Sequence, residues 1–404
     1  MSTQLHANLT EEQVQQISDE LGEPEWLLET RLDALAALDD LDMPDVITTP
    51  GPRHWTNLVD LDYESLVDPL EFAQEKDRVE AAGADVLSWS DALSEHGDLI
   101  EEQFGSVADP QRDFLTALST ALFSAGTVVY VPEGVAAEDV TIRTRMNSRS
   151  LFNYTLVVVE ESASATILER QTTGESLNGD RYYSGVVEVV ADKNASVQYG
   201  ALQNLADDTY NFSVKRGHAA DHATVDWIES NIGSRLTKSS VETRLLGEGS
   251  ESQIVESFFG HEDQHFDINS RVWHENEHTT ADLVTRGVLD DEARSVYEGV
   301  QDVGRSAWDT NSYQRENTLM LSDESEADAS PKLIINNHDT EASHSATVGQ
   351  VDAEDLFYMK SRGIDPERAE NMLVEGFFQP VLEEVAVDEL REDVRELVAA
   401  RLRA

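Results

Sequence analysis

Hydrophobic positions along the chain change their spacing twice. Thr10-Glu11-Glu12-Gln13 reads as a capping box opening a helix, and Leu27, Leu28, Leu32, Leu35 and Leu38 recur at helical spacing behind Pro24. Pro44, Pro50, Gly51 and Pro52 break this pattern, after which helical segments are expected near 70–82 and 110–123. From Thr127-Val128-Val129-Tyr130-Val131 onward the apolar residues come instead in short, β-branched runs with Gly, Asn and Asp between them, as in Leu156-Val157-Val158-Val159. After Gly349 the helical period returns. Asp352 caps a run ending at Arg362-Gly363, Asp365-Pro366 opens the next, and a last helix over 387–403 ends in Arg401 and Arg403, which complement its dipole. Three regions follow: 1–124 mainly helical, 125–350 built of strands, and 351–404 helical.

The strand region carries a repeat. Ser196, Thr224, Ser252 and Thr280 lie 28 residues apart, each three residues before an apolar position: Tyr199, Trp227, Val255 and Leu283. A second phase, Phe212, Ser240, Ile268 and Val296, keeps the same spacing. Each repeat then corresponds to one coil of a β-helix, whose inner face is buried by stacking on its neighbours. A β-sandwich with coincidental spacing is the competing architecture.

Asp and Glu number 80 against 29 Lys and Arg, for a formal net charge of -51, while 40% of the residues are hydrophobic. The acid is therefore spread over a folded surface rather than a disordered chain. Six of the basic residues are Lys, so short, strongly hydrated carboxylates dominate the exterior, which reads as a surface adapted to high salt. Nucleic acid and anionic membranes are poor partners for such a surface. Met1-Ser2-Thr3-Gln4-Leu5-His6 has neither a basic nor an apolar leader pattern, and no stretch approaches a membrane span, so a cytoplasmic protein is expected.

Cysteine is absent, which removes disulfides, thiolate catalysis and Cys-held metal from the chain acting alone. His261-Glu262-Asp263-Gln264-His265 and His274-Glu275-Asn276-Glu277-His278 both match H-E-x-x-H. Zinc chemistry requires a helix there, because only in a helix do residues i and i+4 converge on one ion. Both copies sit in strand and turn sequence, so they are expected to be surface His on solenoid coils. Gly is nowhere followed by Lys, excluding a P-loop, and there is no G-x-S-x-G elbow. A polysaccharide-cleaving β-helix enzyme stays open without positive support.

The segment Glu341-Ala342-Ser343-His344-Ser345-Ala346-Thr347-Val348-Gly349-Gln350, then Leu356-Phe357-Tyr358-Met359-Lys360-Ser361-Arg362-Gly363 and Gly376-Phe377, resembles the SufB/SufD family of iron–sulfur cluster assembly scaffolds, on its SufD side. Asn311 to Leu321, Pro331 to Ile335, His274 to Gly287 and the tryptophan segment His54-Trp55-Thr56-Asn57-Leu58 also match. The resemblance implies a right-handed parallel β-helix (solenoid) flanked by α-helical N- and C-terminal regions. It implies a non-catalytic scaffold subunit in a heterocomplex with a SufB-like paralogue and a SufC-like ABC ATPase docked on the carboxy-terminal helices, with a homodimer open to the isolated chain. No cofactor is expected to be bound stably; iron or a nascent cluster would pass through at the paralogue interface. The family's functional His falls on His344, with Ser345 where Gly is usual, and the position nearest the paralogue's sulfur-accepting cysteine is Glu316. The alternative role for His344 is capping or packing in the turn before the Asp352 helix, with Glu341 as a neighbour that would orient a ligating imidazole. Of Leu356, Phe357, Met372, Leu373, Phe377 and Phe378, most are expected in the core.

Overall fold

The structure is a computed structural model and describes residues 9–42, 83–174, 179–384 and 388–402. The tryptophan segment His54–Leu58 and the helix expected over 70–82 lie outside the described residues. Helix α1 (Glu11–Leu21) opens on the expected capping box, Gln13 N–H donating to Thr10 Oγ1 while the Gln13 side chain accepts from Thr10 N–H. It is followed by α2 (Glu25–Ala37), strand β1 (Asp85–Ser88), α3 (Trp89–Glu95), α4 (Gly97–Gln103) and α5 (Phe114–Leu122). Strand β1 was not legible in the sequence.

Sixteen strands then wind into a parallel solenoid. The larger sheet runs β1, β2 (Ala125–Val131), β4 (Ser150–Val159), β6 (Arg181–Ala191), β8 (Thr209–Ala219), β10 (Leu236–Leu245), β12 (His265–His274), β14 (Arg294–Val303) and β16 (Glu326–Ile335). The smaller runs from β3 (Ala136–Met146) through β5 (Ser164–Thr173), β7 (Ser196–Asn204), β9 (Thr224–Asn231), β11 (Glu251–Gly260), β13 (Thr280–Leu289) and β15 (Thr310–Met320) to β17 (Thr340–Gln350). Odd and even strands alternate along the chain, so each coil contributes one strand to each sheet. Helices α6 (Ala353–Ser361), α7 (Pro366–Glu384) and α8 (Asp388–Arg401) follow.

The 28-residue spacing holds for one step and then drifts. Ser196 pairs with Thr224, but Thr224 pairs with Glu251 and Glu251 with Thr280. The inner column therefore reads Ile167, Tyr199, Trp227, Ile254, Leu283, with Ile254 in the place expected for Val255, which faces outward under α7 and α8. In the other phase Phe212 pairs with Lys238 rather than Ser240. The drift is taken up at the corners, where coil length varies without breaking the ladders.

One corner is a stack of left-handed residues. Ser162, Asn194, His222 and His278 have φ of 59°, 56°, 57° and 59°, and Gly249 has 67°. Each donates its N–H to a carbonyl in the next coil: Lys193, Asp221, Glu248, Trp308 and, for Gly249, Glu277. The inter-coil hydrogen bond offsets the cost of the left-handed backbone.

The outer faces of the two sheets are covered by different helices. On the larger sheet, α5 is buried along its whole length and packs with Trp89, Phe104 and Phe123 against Tyr154, Tyr182, Phe212 and Val214. Buried Arg31 of α2 ties this layer together, pairing with Glu23 at 2.6 Å and donating to the carbonyls of Thr120, Ala121 and Phe123. Glu188 on β6 clamps the preceding loop, accepting the N–H groups of Gly105, Val107 and Ala108 at 2.9, 3.1 and 3.2 Å. On the smaller sheet, Val374, Phe378, Val381, Leu390, Val394 and Val398 of α7 and α8 bury Leu168, Leu202, Ile228, Val255, Phe259 and Val288. Of the six apolar residues expected mostly in the core there, Phe378 alone is buried; Phe357 is 72% and Met372 44% exposed. The helix faces turn Val374, Val381 and Leu382 inward instead.

Candidate functional site: the open rim of the solenoid

The two ends of the solenoid differ. At the first coil β1 pairs antiparallel with β2, and Ala84 and Val86 pack against the apolar lumen. At the last coil β16 and β17 end their sheets, and no further strand pairs with either among the described residues. Both edges thus present unpaired backbone groups, the template for another strand.

Register fixes which residues of the last coil face the lumen, because in-register neighbours in a parallel ladder point the same way. In β15 burial alternates: Ser312, Gln314, Glu316 and Thr318 are buried, with Arg315 exposed between them. Their partners on β17 are Ala342, His344, Ala346 and Val348. On β16 the inward row is Ala327, Ala329, Pro331, Leu333 and Ile335, above Ser295, Tyr297, Gly299, Gln301 and Val303. These inward positions are where the solenoid is sealed in lower coils, yet here Ile335 and Val348 are 42% and 40% exposed. The mouth is apolar, lined by Ala, Pro, Val, Leu and Ile side chains, with one imidazole.

His344 therefore stands in the middle of an exposed edge strand, not in the turn before α6, and the capping role has no place. Directly beneath it, Gln314 is fully buried with neither amide atom hydrogen-bonded. Glu316, under Ala346, accepts from Thr318 Oγ1 at 2.5 Å and leaves Oε2 without a partner. Burial pushes its carboxyl up to about 7, against the hydrogen bonds from Thr318 and the Thr347 N–H. The sequence pointed to His344 and Glu316 by family pattern. It gave no sign of Gln314, because a polar residue at every second position looks the same whether it faces lumen or solvent.

The two H-E-x-x-H segments do not form a metal site. His265 and His274 lie at the ends of β12, and both are buried, correcting the expectation of surface residues. His274 is held by Thr279 Oγ1 at 2.8 Å and Gln301 Oε1 at 3.2 Å. Burial lowers the pKa of His265 to about 3 and of His274 to about 4. His261 is half-buried against Arg401 of α8, and His278 occupies the left-handed corner, 2.8 Å from Asp309. Among the described residues Glu341 makes no hydrogen bond or ion pair that would orient an imidazole. Among the described residues no three His, Asp or Glu side chains converge on a common point.

Below the rim one inward row of the lumen is polar. Glu169, Glu229, Glu256 and Glu316 fall on one inward row of the smaller sheet, with Ala201 and Thr285 between them. Glu169 accepts from Thr144 and Tyr199, Glu229 is paired with Lys215, and Glu256 accepts from Ser270. These carboxylates are sealed from solvent and flank no cleft in which a sugar chain could lie.

Taken together, this is a parallel β-solenoid with helical flanks, armoured along both sides and left open at one apolar rim. Residues 141–377 match the SufBD core domain of the SUF system for iron–sulfur cluster assembly, and residues 67–142 match the SufBD amino-terminal region. The chain belongs to the SufBD family. It is 30% identical to the iron–sulfur cluster assembly protein SufB of Bacillus subtilis, over 94% of this chain and 90% of that protein. It is 29% identical, with the same coverage, to a SufBD family protein of Staphylococcus epidermidis. The family assignment does not favour a carbohydrate-active enzyme. No helix of the described residues is long and apolar enough to cross a membrane.

Proposed function

We propose that the chain is a non-catalytic, D-type scaffold subunit whose open rim joins the rim of a SufB-like paralogue. The observation that carries this is the rim itself: a free strand edge and an apolar mouth around His344, with no complete ligand set brought together among the described residues. An imidazole is a borderline ligand suited to iron, but one His is a fraction of a site. The missing donors, thiolates above all, come from the partner, since this chain has no Cys. Iron and the nascent cluster are cargo passing through the joint, not a resident cofactor. Strand pairing across the joint would bury Ile335 and Val348 and satisfy the edges of β16 and β17, and two identical rims could meet the same way when the paralogue is absent. A SufC-like ABC ATPase docks on the carboxy-terminal helices, and the assembly works in a cytoplasm of high salt.

The test is His344→Ala in the complex purified with its partners, beside His274→Ala as a lumen control. The variant removes an exposed side chain, so complex recovery should be unchanged while iron and sulfide content falls. His274→Ala should lower stability and, with it, recovery. Wild-type cluster content in a fully assembled His344→Ala complex would remove the ligand assignment, and failure of the rim to join any partner would remove the scaffold reading.

A further inference from the structure

Arg286 on β13 and Arg315 on β15 are diagonal neighbours on adjacent strands, on the outer face of the smaller sheet. Arg286 pairs in register with Asn317, and Arg315 lies two residues earlier on the same face, its buried neighbours Gln314 and Glu316 pointing the other way. In a chain with 80 acidic against 29 basic residues, most cations of the solenoid find a carboxylate. Arg170, Arg216, Lys238, Arg244, Arg271 and Lys332 all do.

Arg286 and Arg315 do not, among the described residues. Arg286 donates to the Phe377 carbonyl at 2.8 Å and lies 4.9 Å over the Phe377 ring, while its Nε is buried with no hydrogen-bond partner. Arg315 is exposed and lies 5.3 Å over the ring of Tyr313. Burial, and then the charge of Arg315, hold the Arg286 guanidinium below its ordinary range. The residues that continue these two rows onto the edge strand are Ser345, beside Arg315, and Thr347, beside Asn317. Both rows offer hydrogen-bond donors and no carboxylate.

Two guanidinium groups without a counter-ion repel each other, and an anion between them satisfies both. Their planar forks match the oxygens of phosphate and carboxylate groups. We propose that Arg286 and Arg315, with Asn317, Ser345 and Thr347 beside them, form an oxyanion-binding site. It lies on the opposite face of β15 from Glu316 and the lumen, so it is separate from the rim site and does not rest on the reading given for it. The oxyanion could arrive as a free phosphate-type ion or as a carboxylate side chain of a bound protein.

The experiment uses the full chain in concentrated potassium chloride, with chloride replaced stepwise by inorganic phosphate or by acetate at constant ionic strength and pH. The thermal midpoint is followed in wild type, Arg315→Gln, Ser345→Gly and His344→Ala. Ligand bound to the native state raises the midpoint in a saturable way. The expected result is a saturable rise in wild type and in His344→Ala, with apparent affinity roughly tenfold weaker in Arg315→Gln, the loss of one charge-assisted fork, and a smaller weakening in Ser345→Gly. A response to phosphate and not acetate identifies a phosphate-type source, and a response to both identifies a carboxylate source as well. No rise in wild type, or the same rise in Arg315→Gln, overturns the site. Loss of the response in His344→Ala overturns its separation from the rim.

Discussion

Lys215 Nζ lies 2.7 Å from Oε1 and 2.6 Å from Oε2 of Glu229, and both side chains are sealed in the lumen. The pair is not isolated: Glu229 sits on the inward row with Glu169 below and Glu256 above, and burial raises its carboxyl to about 6 despite the lysine. Removing one partner strands a charge in this setting. Lys215→Met should cost about 3–5 kcal/mol of unfolding free energy, and the double variant Lys215→Met/Glu229→Leu should recover most of it. Chemical denaturation of the four proteins of the cycle measures this. A double variant as unstable as the single one would show that the pair contributes more than mutual neutralisation.

Lys215 pairs with Glu229 and not with Glu256. Burial, with Glu229 as a further cause, raises its carboxyl to about 8; the groups facing it are Glu229, Lys215, Ser270, Thr285 and Tyr297. Its folded pKa lies above the unfolded value, so its contribution to stability is fully present below about 4.5 and is lost as pH rises through 8. Imidazoles depressed by desolvation act with the opposite sign. His218, His265 and His274 are depressed to about 4, 3 and 4, so their contribution is present above about 6.5 and lost as pH falls toward those values. Glu256→Gln should leave stability below about pH 4.5 unchanged in its pH dependence and flatten the decline between about pH 4.5 and 8. Midpoints of thermal unfolding across that range decide it, and an unchanged slope there would show that Glu256 is not the group responsible.

The lumen is also where the sequence was least readable. Helical and β periods located both helical flanks and the strand region, and the capping box at Thr10 and the Asp352 cap appear as expected. The inward columns were legible where apolar, as at Tyr199 and Trp227, because only burial explains such residues at one spacing. They were illegible where polar: Glu229, Glu256, Gln314 and Glu316 look like solvent-facing positions until register stacks them. His344 was found through its family pattern, yet its strand was read as a turn, since Ser343, Ser345 and Gly349 dilute the β signal. The unpaired arginines could not be found at all, because their meaning comes from which carboxylates are absent around them in space.

The surface charge makes a prediction of its own. With a formal net charge of -51, repulsion among exposed carboxylates opposes the compact state and is screened over about 3 Å at 1 M salt but about 10 Å at 0.1 M. Dialysis from molar to dilute potassium chloride should lower the thermal midpoint and weaken the strand signal in circular dichroism. The apolar layers under α5 and under α7 and α8 are indifferent to salt, so loosening should begin at the last coil, where neither layer reaches. A midpoint independent of salt would remove the salt-adaptation argument.

The last prediction concerns the ATPase. Deleting the carboxy-terminal helices is a poor test of docking, because α7 and α8 bury Leu168, Leu202, Ile228, Val255, Phe259 and Val288, and a truncated chain would expose an apolar sheet face. Helix α6 is different. It buries none of its own residues, and Phe357 and Tyr358 are 72% and 58% exposed on consecutive positions, with Met372 of α7 44% exposed. An aromatic pair on a helix that contributes nothing to the core is the composition of a binding anchor. Phe357→Ser and Tyr358→Ser should leave the unfolding midpoint within the scatter of surface variants, about 0.5 kcal/mol, while weakening ATPase binding by about 2 kcal/mol or more for the stronger anchor. Calorimetric titration of the folded variants with the ATPase separates the two effects. Binding unchanged in the double variant would move the docking surface off α6 and return these aromatics to the status of ordinary exposed residues.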